Sequence, residues 1–445
     1  MNNLKQITIF FFAAVTLIFL WSCEDNKPDD FGRTPYDPSK PVVIDGFKPD
    51  SGGLATKVLI EGSNFGSDLS QIKVYFTATT EGGTQVSMLA PLIGSDGEHM
   101  YVLTPKLTNL RECTVSVVSN GDSAVYTDKN YLYRTMTTVT TIAGKKGTTS
   151  FRGGTLAEAQ FSDPVYMCID DEDNIFVCHW YTPFSFILIN EEKDIVQQLL
   201  GGISFNIPTI DAQGKVFVPV EAGDTYYHFD PAVQWASKQS SILHPTADMI
   251  AEGMLDFNID YKVSMANCFY DGYIYTSTIG TGQLIKMNPV SRIGQLVTSI
   301  PWSSTRLFFD PYQSHILYII AYTLHAIYKY DVITGEETLF AGTPGVAGWK
   351  DGKALEAEFA RPSMMVITED GSMYLSDRDN HCIRRITPDG MVSTVIGQGG
   401  VLGYQDGNAE DALFNEPFGL AISKKTGAIY VSDWRNNCIR KLAIE

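Results

Sequence analysis

Two stretches near the carboxy terminus are copies of each other, and this internal repeat constrains the fold more than any other feature. Gly348-Trp349-Lys350-Asp351-Gly352, followed by Ala357-Glu358-Phe359-Ala360-Arg361-Pro362, returns as Gly403-Tyr404-Gln405-Asp406-Gly407 and Ala412-Leu413-Phe414-Asn415-Glu416-Pro417. Farther on, Met373-Tyr374-Leu375-Ser376-Asp377-Arg378-Asp379-Asn380-His381-Cys382-Ile383-Arg384-Arg385-Ile386 matches Ile429-Tyr430-Val431-Ser432-Asp433-Trp434-Arg435-Asn436-Asn437-Cys438-Ile439-Arg440-Lys441-Leu442. A third copy begins at Thr141-Ile142-Ala143-Gly144 and passes through Phe151, Phe161 and Pro164 to Val177-Cys178-His179-Trp180. Looser copies centre on Val216-Phe217-Val218, Tyr273-Ile274-Tyr275 and Ile316-Leu317-Tyr318, which brings the count to six.

Each copy alternates short apolar runs with turn chemistry such as Pro388-Asp389-Gly390, the pattern of a four-stranded antiparallel unit. One such unit cannot cover both of its faces, whereas a ring of them can, so residues 135–445 are expected to form a six-bladed β-propeller. The last copy ends one strand short, at Lys441-Leu442-Ala443-Ile444-Glu445. Thr138 to Gly144 corresponds to the final strand of the preceding copy. It is therefore expected to pair with the last blade and remove the open edge. The Ala412-x-Phe414-x-x-Pro417-x-Gly419 and Ser432-Asp433-x-x-Asn436-x-x-Ile439-Arg440-Lys441 pattern resembles the NHL repeat.

Upstream, Val58-Leu59-Ile60, Ile72-Lys73-Val74-Tyr75-Phe76, Tyr101-Val102-Leu103 and Thr114-Val115-Ser116-Val117-Val118 read as short strands parted by glycine-rich turns. Regular spacing of this kind predicts a β-sandwich over residues 39–134. Pro49, Ser51-Gly52, Val58, Ile60, Gly62, Asn64-Phe65-Gly66, Val74, Phe76 and Pro105 resemble the IPT/TIG family of immunoglobulin-like domains. The resemblance implies a spacer. The expected fold is thus all-β, an immunoglobulin-like (IPT/TIG) sandwich followed by a six-bladed NHL-type propeller.

Residues 1–22 read as a signal peptide, with Lys5 ahead of an apolar run from Ile7 to Leu20. Leu20-Trp21-Ser22-Cys23 resembles the lipobox of bacterial lipoproteins, which implies lipidation at Cys23. Residues 23–38 open with the acidic Glu24-Asp25-Asn26-Lys27-Pro28-Asp29-Asp30, read as a tether. This segment is similar to the one that directs Bacteroidetes lipoproteins to the outer face of the outer membrane. A net charge of -18 repels phosphate backbones, so nucleic acid is excluded as a partner, and membrane contact is expected only through the lipid. The six remaining cysteines do not form a disulfide framework, although Cys168 and Cys178 could face each other across a hairpin.

Loops joining second to third strands, and those between blades, emerge on one face of such a ring. Trp180, Tyr181 and Trp434 fall in the first kind, Trp349 and Tyr404 in the second. Aromatic faces stack on the C–H-rich faces of sugars, and Asp377, Arg378, Asp433 and Arg435 stand nearby in sequence to hold hydroxyls. These nine residues are the candidate ligand site. No histidine pair has metal-ligand spacing, and no GxSxG or P-loop occurs. The Asp170-Asp171-Glu172-Asp173-Asn174 run has calcium-like chemistry but falls in a hairpin turn, so no cofactor is expected. The combined architecture resembles accessory proteins of Bacteroidetes glycan-uptake systems. It implies a glycan ligand, an outer-membrane transporter as partner and no catalysis. A hydrolase or lyase at the channel, or a protein-interaction scaffold, is the alternative.

Overall fold

The computed structural model describes residues 34–53, 56–79, 85–105, 112–133, 137–181, 184–302 and 304–444. The expected signal peptide, Cys23 and the acidic start of the tether lie outside the described residues. Two compact units divide between Thr135 and Met136.

The first unit consists of two sheets around one core. One sheet orders Val43–Lys48, Lys57–Ser63, His99–Leu103 and Leu92–Ser95; the other orders Ser51–Gly52, Asp122–Tyr133, Glu112–Ser119, Ile72–Thr79 and Gln85–Ala90. Period-two alternation puts Val58, Ile60, Val74, Phe76, Met100, Val102, Val115 and Val117 between them, all fully buried. The Gly62–Gly66 motif has a local cause. Asn64, at φ 61°, accepts from the Asp37 amide at 2.7 Å and donates to the Asp37 and Lys40 carbonyls, while a Cβ on Gly62 would sit 2.1 Å from the Val43 oxygen.

The second unit holds six antiparallel sheets among the described residues: four have four strands, and the fifth and sixth each gain a two-residue edge strand, Gly352–Lys353 and Gly407–Asn408. Their innermost strands are Pro164–Ile169, Thr209–Ile210, Lys262–Asn267, Thr305–Phe309, Pro362–Ile367 and Pro417–Ile422. In the sixth sheet the fourth strand from the centre is Thr137–Gly144, which runs antiparallel to Cys438–Ile444 from Thr137 opposite Ile444 to Gly144 opposite Cys438. The strand that begins the unit therefore completes its last sheet.

Hydrogen bonds tie each sheet to the next in a closed cycle. Cys178 Sγ reaches the Asn206 carbonyl at 3.4 Å, and the Met265 amide donates to the Ile207 carbonyl at 3.0 Å. The Ser277 hydroxyl donates to the Thr305 carbonyl at 3.2 Å, and the Arg361 amide to His325 Nδ1 at 2.9 Å. The Ser376 hydroxyl then donates to the Phe418 carbonyl and the Ser432 hydroxyl to the Val165 carbonyl, each at 2.6 Å. The last of these joins sheet six back to sheet one. The architecture is propeller-like, with apolar clusters filling the spaces between neighbouring sheets.

In sheets five and six the repeat signature is a lock that holds the loop leading into the sheet. In sheet six, Arg440 donates to Asp433 at 2.6 Å, to Asp406, and to the Gln405 and Leu413 carbonyls of the loop before the sheet. Asn436 bridges Asp433 and the Gly403 carbonyl. Arg384, Asp377 and Asn380 repeat the arrangement in sheet five, binding Asp351 and the Lys350, Glu358 and Gly348 carbonyls. Both arginines and both aspartates are fully buried. This corrects the assignment of Asp377 and Asp433 to a ligand site: their oxygens are consumed by loop amides, asparagine and guanidinium. Burial pushes both carboxyls up to about 6, against the pull of the arginines.

Sheet one replaces the pair as a unit. His179 stands where Asp377 and Asp433 stand, and Ile187 where their arginines stand. The imidazole is fully buried between Phe151 and Phe161, each ring 5.8 Å away, and neither nitrogen has a partner. All six cysteines of the described residues are free, and Cys168 lies opposite Phe176, so the conceivable Cys168–Cys178 bridge is absent.

Candidate functional site

The loops between second and third strands of sheets one, four, five and six converge over the centre of the ring. Three of them are single 3₁₀ turns at Tyr322–Leu324, Arg378–Asn380 and Trp434–Asn436, each closed by a residue with positive φ: His325, His381 and Asn437. That last residue turns its side chain onto the next inter-sheet loop: His381 Nδ1 accepts from the Glu416 amide and Asn437 Oδ1 from the Asp163 amide. Each turn is thereby fixed to two sheets, and the side chain that opens it points inward in a set direction.

Those side chains build an aromatic and guanidinium cluster. Trp180 stacks on Tyr181 with ring centroids 5.9 Å apart and packs on Trp434 at 5.4 Å and Phe418 at 5.7 Å. Tyr166 closes against Phe418 at 5.3 Å. The Arg435 guanidinium lies 3.7 Å from the Trp434 ring centroid and Arg378 4.6 Å from it. Arg378 is held by Glu416 at 2.6 Å and by the Tyr322 hydroxyl, and the Trp434 indole donates to Asp163 at 2.8 Å. Arg435 approaches both Asp163, at 3.6 Å, and Glu416, at 3.8 Å. Tyr181, half exposed at 50 %, tops the cluster, and Arg435 is exposed beside it.

Of the nine residues expected from sequence, the structure brings five together here: Trp180, Tyr181, Trp434, Arg378 and Arg435. Trp434 is a correction. At 2 % exposure its face is covered by Phe418, Trp180 and the two arginines, so it supports the surface and does not form it. Trp349 and Tyr404 are elsewhere. The Trp349 indole donates to Thr394 on the fourth strand of sheet five, and the Tyr404 hydroxyl meets Thr141 on the fourth strand of sheet six. Both are exposed, but they sit on the ring's periphery.

Sequence reasoning missed Arg306, Tyr166, Phe418, Glu416 and Asp163. One signal was available: Arg306 is a cation inside Thr305-Arg306-Leu307-Phe308-Phe309, which otherwise reads as a buried strand. It also missed a cavity of about 560 Å³ on the opposite side of the ring, lined by Met167, Met265, Leu307, Met364 and Leu420. Asp170, in the calcium-like run at its edge, spends its carboxylate on the Glu172 and Asn174 amides and the Asn174 side chain. Among the described residues no group of three or more His, Cys, Asp or Glu converges to hold a metal ion.

Fold and site together define an all-β, propeller-like protein with an aromatic surface where four loops meet. No protein-family model matches the chain. A curated protein, SUPPRESSOR OF QUENCHING 1, chloroplastic, of Arabidopsis thaliana, is 32 % identical over 109 residues, which is 24 % of this chain and 10 % of that protein. The chain thus spans about a tenth of that relative's length. Solved structures resemble far more of it. A Bacteroides thetaiotaomicron protein of unknown function is 25 % identical, with a TM-score of 0.67, over 93 % of this chain and 100 % of that one. An auxiliary nutrient binding protein from Bacteroides ovatus is 24 % identical, TM-score 0.63, with the same coverage. Another of that description from Bacteroides thetaiotaomicron is 23 % identical, TM-score 0.61, over 92 % of this chain and 99 % of that one. The all-β architecture of both units is therefore one that Bacteroides proteins share.

Proposed function

We propose that this protein is a lipid-anchored, outward-facing outer-membrane protein that binds an oligo- or polysaccharide as an accessory to glycan uptake. In this reading the first unit is an IPT/TIG spacer, and the second is a six-bladed NHL-type propeller that binds at its loop-bearing mouth. Capture beside an outer-membrane transporter is the corresponding partner relation. Two of the structural neighbours are named auxiliary nutrient binding proteins, which supports the accessory role.

The observation that carries the reading is the mouth itself. Tyr181 presents an exposed ring stacked on a second, half-buried ring, Trp180, and the pair is backed by Trp434 and Phe418. Arg435, Glu416 and Asp163 lie within reach of hydroxyls on anything laid across it. A rigid aromatic face rimmed by charged hydrogen-bonding groups suits a pyranose, whose C–H face is apolar and whose edge is polar.

The test is retention on affinity gels of a polysaccharide panel, with the reducing ends of each glycan followed over time. Binding without breakdown is expected for at least one class. Tyr181→Ala removes an exposed ring and should weaken that binding by about 2 kcal/mol, roughly 30-fold, as for other aromatic anchors. Unchanged retention by this variant would remove the mouth from the reading.

A further inference from the structure

The centre of the ring holds a buried cation whose counter-charge none of the described residues supplies. Arg306, second residue of Thr305–Phe309, is 3 % exposed, and its Nε and Nη1 have no hydrogen-bond partner. Among the described residues no carboxylate lies within ion-pair distance of it. The other guanidinium groups over the Tyr322 and Trp434 rings are each compensated: Arg378 by Glu416 at 2.6 Å, Arg361 by Asp379 at 3.6 Å, Arg435 by Asp163 at 3.6 Å.

What surrounds Arg306 is aromatic. Its guanidinium lies 3.8 Å from the Tyr322 ring centroid and 5.5 Å from that of Phe418, with the Tyr166 hydroxyl interacting beside it. These partners belong to sheets four, six and one, so the side chain extends across the middle of the ring. Arg378 faces the same two rings at 5.9 and 5.6 Å, which places a second positive group over that floor. Cation–π contacts offset only part of the cost of taking an ion out of water, and an unpaired buried guanidinium is rarely kept without a use. A planar fork with free N–H groups matches an oxyanion.

We infer that Arg306 anchors an oxyanion subsite, so that the ligand taken at this mouth carries a carboxylate or sulfate: an acidic sugar. The inference rests on the glycan reading above and narrows it. The chain's net charge of -18 repels anions at long range, so selectivity must come from this local geometry.

Titration of the purified protein with D-galacturonate, with sodium sulfate at matched ionic strength and with D-galactose tests it, read by isothermal calorimetry and by thermal unfolding. Saturable binding of galacturonate or sulfate, with galactose weaker, is expected in the wild type. Arg306→Met should weaken the anion by about 10- to 100-fold, and Arg306→Lys, which keeps the charge, should lose less. Galacturonate alone would indicate a uronate, sulfate alone a sulfated sugar. If Arg306→Met does not fold, the galacturonate titration is repeated on wild type and Arg306→Lys with sulfate as competitor, and a shared site weakened in Arg306→Lys is expected. Absence of saturation by either anion, or equal binding by Arg306→Met, overturns the subsite. A neutral polysaccharide held equally by wild type and Arg306→Met would overturn it while leaving the glycan reading intact. Anion binding lost in Arg306→Met, with no polysaccharide retained, would do the reverse.

Discussion

Sheet one carries an acid-labile histidine at the position where sheets five and six carry a buried ion pair. His179 is fully buried between Phe151 and Phe161 with no partner for either nitrogen, and burial lowers its pKa from 6.5 to about 3. The folded state thus favours the neutral ring, while the unfolded chain protonates near 6.5. Stability from this site is complete above about pH 6.5 and is lost as pH falls toward 3. At pH 4.5 the unfolded chain is favoured by two pH units of proton binding, or about 2.7 kcal/mol at 1.36 kcal/mol per unit. His179→Leu keeps an apolar side chain of similar size in the cage and removes the titration. Urea unfolding followed by tryptophan emission is the assay. Trp180, Trp235, Trp302, Trp349 and Trp434 all lie in the second unit and report on it. Carboxylates elsewhere also titrate, so the measured quantity is the wild-type minus variant difference at each pH. That difference should shift by about 2.7 kcal/mol, in favour of the variant, between pH 7.5 and 4.5. A difference that stays constant with pH would refute the reasoning, whatever its size.

Other consequences follow from the same structure. Asp433→Ala leaves the fully buried Arg440 with Asp406 in place of two carboxylate partners and should cost about 2–3 kcal/mol in denaturant unfolding; a loss under about 1 kcal/mol would show that the lock is not coupled to stability. His381→Asn copies the acceptor that Asn437 supplies in sheet six, so stability at pH 7.5 should change by less than about 1 kcal/mol. Burial lowers the His381 pKa, so the same variant should also be less sensitive to acid than wild type, and equal sensitivity would argue against the Nδ1 contact. Val139→Asp puts a carboxylate at a fully buried position of the closing strand and should remove at least about 3 kcal/mol, seen as early loss of the tryptophan transition; a wild-type transition would mean that the ring does not depend on that strand.

Much of the fold could be read directly from the residues. The copies at 348–386 and 403–442 announce a repeated four-stranded unit, because period-two alternation and Asp-Gly turns are local properties of the chain. The missing last strand and the spare strand at Thr138 announce the closure, because an unpaired edge is costly wherever it falls. The Gly62–Gly66 motif likewise reports a backbone demand that few other residues meet.

The site was a different matter. Asp377 and Asp433 look like surface carboxylates in sequence and are fully buried, because the loop carbonyls and the arginine that enclose them come from positions up to thirty residues or so away. Trp434 looks exposed for the same reason and is covered by residues of sheets one and five. Trp349 and Tyr404 share a repeat position with each other, which placed them correctly on one type of loop but not at the centre of the ring. Arg306 meets Tyr166 and Phe418 only because ring closure brings the first strands of sheets one, four and six to a common axis. Sequence by itself determined the repeat, the strand pattern and the closing strand, since each depends on neighbours a few residues away. Which polar side chains are buried, and which face a ligand, was decided by contacts between sheets distant in the chain, and only the closed ring creates those.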